Sequence, residues 1–209
     1  MFPVVGVFAH PDDEAMGPAG TLALFAHSRP VYLICATDDN SGKNLTPVRR
    51  IELQKSSVML GIKEVFFLDF RDGDLSNNLY PQLAAELQVI LDRLKPDTLV
   101  TYEPRGVSGH IDHMVVSSVC NHLFDRLKYL KFLLSFCLPD SVPRIKNYFV
   151  YFPPGYPRDL IDKVVDVKNV WSEKISAIKC HQSQIHDVRR VLAKLALFPK
   201  TEHFLLRTK

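Results

Sequence analysis

The chain has 209 residues, 46% of them hydrophobic, and a formal net charge of +3. That length suits a single α/β domain with a sizeable core. The small, dispersed basic excess argues against a nucleic-acid partner, and no apolar run reaches the roughly 18 residues that mark a membrane span.

Residues 1–7, Met-Phe-Pro-Val-Val-Gly-Val, lack a basic leader, so they read as the approach to a first strand rather than a signal peptide, and the expected location is cytoplasmic. Residues 3–9 form that strand. Residues 15–28 follow as a helix, 31–36 as a second strand and 37–46 as a polar stretch. Pro47 suits a first helical turn, Ile51, Val58 and Met59 give that helix an apolar stripe, and Gly61 stops it. Residues 64–68 are a third strand, 69–78 a loop, 81–94 a helix before Pro96, and 97–102 a fourth strand. A polar loop leads to His110, and residues 111–127 read as helix. Beyond residue 128, strands are expected at 132–138, 148–152 and 164–167, a turn at Pro153-Pro154-Gly155, and helices at 170–180 and 185–197. Cys35, Cys120, Cys137 and Cys180 form no Cys-x-x-Cys pair and read as structural thiols.

Four β-α repeats argue a parallel sheet with helices on both faces, and in such sheets ligands bind beyond the carboxyl ends of the strands. Two polar clusters fall there. Ala9-His10-Pro11-Asp12-Asp13-Glu14 follows strand one, and His110-Ile111-Asp112-His113 follows strand four. Adjacent carboxylates beside a histidine repel one another unless a divalent cation joins them. Imidazole with carboxylate suits zinc, and a catalytic zinc takes three protein ligands and leaves a place for water. The first cluster offers two ligands. His110 and His113, three apart at a helix start, lie on one face, so one can bind metal while the other stands beside it. His10, Asp13 and His113 would complete a two-histidine, one-carboxylate set. Asp12 is then free as general base, and His110 can stabilise an oxyanion or give a proton to a leaving amine. These parts fit hydrolysis of an amide.

The two clusters resemble those of the PIG-L/LmbE-like deacetylases, metal-dependent hydrolases that remove acetyl groups from N-acetylglucosamine-containing compounds. The resemblance extends through Arg49-Arg50-Ile51-Glu52-Leu53 with Leu60-Gly61, Phe67-Leu68-Asp69 with Asp72-Gly73, His181-Gln182-Ser183-Gln184 and Glu202-His203-Phe204. It implies zinc at His10, Asp13 and His113, with another divalent transition metal also admissible, Asp12 as base and His110 as the group polarising the intermediate. It further implies substrate-side places for Arg50 (ahead of Arg49), Asp72 and His181, and supporting places for Glu14 and Asp112. The implied fold is a Rossmann-like three-layer α/β sandwich, mostly parallel, in one domain. Residues 1–127 carry both clusters and residues 128–209 complete the fold. The implied partner is a small amino-sugar substrate, with a homo-oligomer left open. Ala19-Gly20 stands where the family often has Gly-Gly, and Ile111 where proline is common.

Each feature also has a plainer reading. Asp12-Asp13 could cap a helix, His110 and His113 could be surface residues, Arg50 could pair with a carboxylate on its own helix, and Asp72 could be a turn residue. A Rossmann-type nucleotide site predicts a glycine-rich loop after strand one, where this chain has His-Pro-Asp-Asp instead. A metal-binding protein without catalysis needs His10, Asp13 and His113 but not Asp12.

Overall fold

The computed structural model of the protein describes residues 1–38, 45–143, 145 and 149–209. Seven strands form one sheet in the order β3-β2-β1-β4-β5-β7-β6. β1 (Val4–Phe8), β2 (Val31–Asp38), β3 (Glu64–Arg71), β4 (Thr98–Tyr102) and β5 (Phe132–Cys137) run parallel. β7 (Thr201–Thr208) inserts antiparallel between β5 and β6 (Lys163–Asp166). Every residue of β1 and β4 is buried, as expected of central strands covered on both faces.

The helices are α1 (Asp13–Met16), α2 (Ala19–Ala26), α3 (Thr46–Met59), α4 (Tyr80–Leu94), the single turn α5 (Gly106–Gly109), α6 (Ile111–Arg126), α7 (Trp171–Cys180) and α8 (Ile185–Leu195). α2, α3 and α7 pack together on one face of the sheet, while α4 packs on α6, which lies against β1 and β4 on the other. This is the Rossmann-like three-layer sandwich. No helix among the described residues is long and apolar enough to cross a membrane.

The chain winds outward from β1 through β2 to β3, then returns to β4 on the other side of β1. The β1–β4 seam is therefore the switch point at which an open α/β sheet leaves a crevice. The two polar clusters sit at the carboxyl ends of these adjacent strands.

Several elements differ from the sequence reading. The helix expected over 15–28 is two helices, because Gly17-Pro18 interrupts it and Pro18 supplies no N–H to a continuous ladder. Gly20 lets α2 approach its neighbour: a Cβ there would lie 2.6 Å from the Val167 Cβ, whereas buried Ala19 already accommodates one. Ile51, Val58 and Met59 face outward, and α3 instead buries Arg49, Glu52, Leu53, Ser56 and Ser57. The polar face of α3 turns inward because it serves the site. β3 runs on to Arg71, so part of the expected loop is strand. Residues 149–152 form no strand, and Tyr148 lies outside the described residues. β7 escaped the sequence reading because its buried positions alternate a charge, Glu202, with an apolar residue, Phe204. Glu202 is tolerated there because it pairs with buried Lys174 at 2.6 Å and accepts the Gly20 and Thr21 N–H groups. Ile111 is the exposed first residue of α6, where proline's missing N–H would cost nothing.

Candidate active site

His10 lies just past β1 and His113 in the first turn of α6, and the two rings meet across the seam. His10 Nδ1 is 3.0 Å from His113 Nε2. Asp13 completes the triangle, with Oδ2 3.4 Å from His10 Nδ1 and Oδ1 3.4 Å from His113 Nε2. The far nitrogen of each ring is also engaged. His113 Nδ1 lies 2.9 Å from the Gly106 carbonyl, which can only accept, so its proton sits there and Nε2 presents a lone pair. His10 Nε2 lies 3.2 Å from Asp112 Oδ2 and 2.9 Å from Asp72 Oδ1, which holds a proton on that nitrogen and leaves Nδ1 facing the triangle. Asp112 is fully buried and also accepts the Gly73 and Leu75 N–H groups.

With both facing nitrogens unprotonated, two lone pairs and a carboxylate converge here, an arrangement that a cation between them relieves. Ligand distances of about 2.0–2.1 Å in tetrahedral array put donor atoms roughly 3.3 Å apart, so the three groups fit a zinc-sized ion. His110 also lies close enough to His10 and His113 to share a metal with them. However, its Nδ1 accepts the Asp112 N–H at 3.2 Å as the N-cap of α6, which leaves Nε2 to carry the proton of the neutral ring.

The electrostatics separate the two adjacent aspartates. Burial and the neighbouring Asp13 charge push the Asp12 carboxyl up to about 7. Burial also works to raise Asp13, but His113, His10 and the Tyr102 hydroxyl outweigh it and hold Asp13 well below the usual carboxylate range. Burial lowers His113 to about 4, and burial with the nearby His10 lowers His110. Burial opposes protonation of His10, yet Asp112, Asp13 and Asp72 together raise it. One carboxylate is thus fixed as an anion among the histidines, and its neighbour titrates near neutrality, as a general base requires.

The loop that presents Asp12 is strained. Asp12 has φ 128°, a region L-residues rarely adopt, and strain of this kind costs about 1–3 kcal/mol. Glu14 holds the loop by accepting the Asp12 N–H at 3.1 Å. Ser56 of α3 donates to Glu14 Oε1 at 2.5 Å, and His181 Nε2 is 2.9 Å from the same oxygen. His181, expected on the substrate side, is fully buried behind the loop. Arg49 is the buried arginine at the site: it donates to the Pro11 carbonyl at 2.7 Å and lies 3.4 Å from Asp12 Oδ2. Arg50 instead pairs with Asp69, lies 3.7 Å from Asp38 and stacks over Phe67. Asp72, expected at the substrate, stands against His10 at the edge of the cleft.

The sequence reading passed over Tyr102, the last residue of β4, and Gly106, whose carbonyl orients His113. Their one sequence signal is position at and just after the end of strand four. Of the polar stretch expected over 37–46, residues 39–44 lie outside the described residues. Phe149 and Tyr151 stand exposed near the site, Phe149 with its ring 5.5 Å from that of His110. Gly109 (φ +80°) permits this approach, since a Cβ there would lie 1.9 Å from the Tyr151 carbonyl oxygen.

Sheet, switch-point crevice and converging donors are those of an α/β enzyme with a candidate metal centre. A family model described as PIG-L, GlcNAc-PI de-N-acetylase, matches residues 5–124, a span that includes both clusters, and the chain belongs to that family as an enzyme of the deacetylase class. It is 28% identical over 201 residues to the probable N-acetyl-alpha-D-glucosaminyl L-malate deacetylase 2 of Bacillus subtilis, covering 90% of this chain and 86% of the relative. It is 26% identical over 225 residues to the 1D-myo-inositol 2-acetamido-2-deoxy-alpha-D-glucopyranoside deacetylase of Corynebacterium diphtheriae, covering 88% and 76%. The fold is similar to that of the N,N'-diacetylchitobiose deacetylase of Pyrococcus horikoshii, with TM-score 0.72, 21% identity and coverage of 99% and 84%. It is equally similar to the 4-carboxy-2-hydroxymuconate hydratase GalB of Pseudomonas putida, with TM-score 0.71, 17% identity and coverage of 100% and 97%. The fold alone therefore does not choose the reaction.

Proposed function

We propose that this enzyme hydrolyses the acetamide of an N-acetylglucosamine conjugate, with zinc held by His10 Nδ1, Asp13 and His113 Nε2. The observation that carries this reading is the convergence of three groups: His10 Nδ1 lies 3.0 Å from His113 Nε2, and the Asp13 carboxylate sets one oxygen 3.4 Å from each of these nitrogens, with Asp12 next to it in the chain. Zinc, when bound there, supplies Lewis acidity and brings the pKa of a water to about 7.

The chain's own groups do the rest. Asp12, next to the ligand Asp13 in the chain, takes the proton from the attacking water. Attack on the acetyl carbon yields a tetrahedral oxyanion, which the His110 Nε2–H stabilises as a hydrogen-bond donor. Collapse breaks the C–N bond as Asp12 passes the proton it took from water to the nitrogen, so the amine leaves with acetate as the other product. Arg49 tethers the Asp12 loop from α3 through the Pro11 carbonyl.

An amino sugar joined to a small polar group is the substrate class favoured by the relatives, whose names specify an L-malate and a myo-inositol conjugate of N-acetylglucosamine. The test is acetate release from a panel of N-acetylated sugars and conjugates, with zinc supplied and with zinc chelated. Zinc-dependent release from a glucosamine derivative is expected; no metal-dependent release from any member would overturn the reading.

A further inference from the structure

The Tyr102 ring lies parallel to that of His113, with centroids 4.2 Å apart and planes 5° from coincidence. Its hydroxyl accepts the Ala9 N–H at 2.7 Å and donates its single proton to Asp13 Oδ2. Asp13 Oδ2 also accepts the His10 N–H at 2.7 Å. An ionised carboxylate oxygen has two lone-pair directions, so Oδ2 is filled by these two donors. Each oxygen has a ring nitrogen 3.4 Å away, Oδ2 that of His10 Nδ1 and Oδ1 that of His113 Nε2, but only Oδ2 carries such a pair of donors among the described residues. Tyr102 itself is almost fully buried, fixed by the edge of Phe8 at 5.4 Å and by Ser117, which donates to its backbone carbonyl at 2.8 Å. One side chain at the end of β4 thus touches two of the three donors, the carboxylate through a hydrogen bond and the imidazole through its face.

We propose that Tyr102 is a positioning residue of the metal centre: by occupying Asp13 Oδ2 and stacking on His113, it makes Asp13 a ligand through Oδ1 alone and keeps a coordination place open for water. This inference rests on the metal assignment above and adds a residue and a coordination mode to it. Without the hydroxyl, Oδ2 loses one of its two donors and can turn toward the ion. The carboxylate then chelates with both oxygens and fills the place that water needs. Partners that orient metal ligands contribute about 10- to 100-fold in metal affinity or activity when removed.

Tyr102→Phe keeps the ring and removes only the hydroxyl. Zinc affinity, measured by competition with a chromogenic chelator, is expected to change with the visible spectrum of the cobalt-substituted protein, whose band intensity reports coordination number. The expected result is a weaker, higher-coordinate cobalt spectrum and about a 10- to 100-fold loss in kcat at saturating zinc, with KM little changed. Phe8→Leu loosens the same packing without touching a donor. It should lower thermal stability while leaving the cobalt spectrum as in the parent, which separates positioning from packing. If Tyr102→Phe fails to fold, zinc-edge X-ray absorption on the unmodified zinc-loaded protein carries the test: a one-oxygen carboxylate is expected, and two-oxygen chelation overturns the proposal. A Tyr102→Phe protein with the parental spectrum and kcat also overturns it. Parent protein that binds neither zinc nor cobalt would instead sink the metal assignment and this inference with it.

Discussion

The loops after β1 and β4 solve one problem in two ways. Each contains a non-glycine residue at positive φ, Asp12 at 128° and Val107 at 63°, and each secures that residue's N–H on a buried glutamate. Asp12 N donates to Glu14 Oε2 at 3.1 Å, and Val107 N to Glu103 Oε1 at 2.8 Å. The first loop is short and, on the proposed function, presents chemistry: two ligands and a base within four residues. The second is longer and contributes support, since its strained turn aims the Gly106 carbonyl at His113 while α6 delivers the ring. Their glutamates are anchored differently. Glu14 is tied to α3 through Ser56 and to the end of α7 through His181, whereas Glu103 is tied to Arg105 and Tyr156. Strain at a functional loop persists where the surroundings over-determine it, and here a buried carboxylate does so at both strand ends.

The largest expected effect lies in the first loop. Asp12→Asn should retain zinc, read by metal analysis, while kcat falls by roughly 10²- to 10⁴-fold, the range for loss of a general base. An Asp12→Asn enzyme at full speed would remove the base from that loop and leave it a ligand carrier only. Glu14→Gln weakens the support of the strained Asp12 backbone, and is expected to lower kcat by about 10- to 100-fold with a smaller change in zinc affinity. Glu103→Gln should do the reverse, weakening zinc by about tenfold while turnover per bound zinc stays near the parent value. Equal effects of the two glutamate variants on both quantities would erase the distinction between the loops.

The smallest effect is a pH dependence. Asp12 is raised in the fold above its unfolded value, so its contribution to stability is full at low pH and is lost as pH rises through about 7. In metal-free protein, Asp12→Asn should therefore raise the melting temperature more at about pH 8 than at about pH 4. Calorimetry at both values checks the sign, and an equal shift at both would place the Asp12 titration elsewhere.

Much of this was legible in the sequence. The β-α alternation implied the parallel sheet, and its switch point brings the ends of β1 and β4 together, which makes the two clusters one site. His10, Asp12, Asp13, His110, Asp112 and His113 all meet there. What remained hidden depends on facing. The apolar residues of α3 suggested an inward stripe, yet its polar side turns inward because Arg49, Glu52 and Ser56 each find a partner at the site or at Ser183. Arg49 and Arg50 are adjacent and chemically identical, and only helix rotation decides that Arg49 meets the Asp12 loop. His181 stood near the site in the resemblance, but burial puts it behind Glu14. β7 was masked by a buried ion pair, and Tyr102 by its position at the end of an apolar strand, where an aromatic residue is unremarked.

The central claim is that His113, and not its neighbour His110, joins His10 and Asp13 in holding the ion, and side-by-side zinc titration of His113→Ala and His110→Ala tests it most directly. His113→Ala should lose zinc affinity by more than about 100-fold, beyond what outer partners contribute, while His110→Ala keeps one tightly bound zinc and loses turnover. Tight stoichiometric zinc in His113→Ala, with its loss in His110→Ala, would contradict the account.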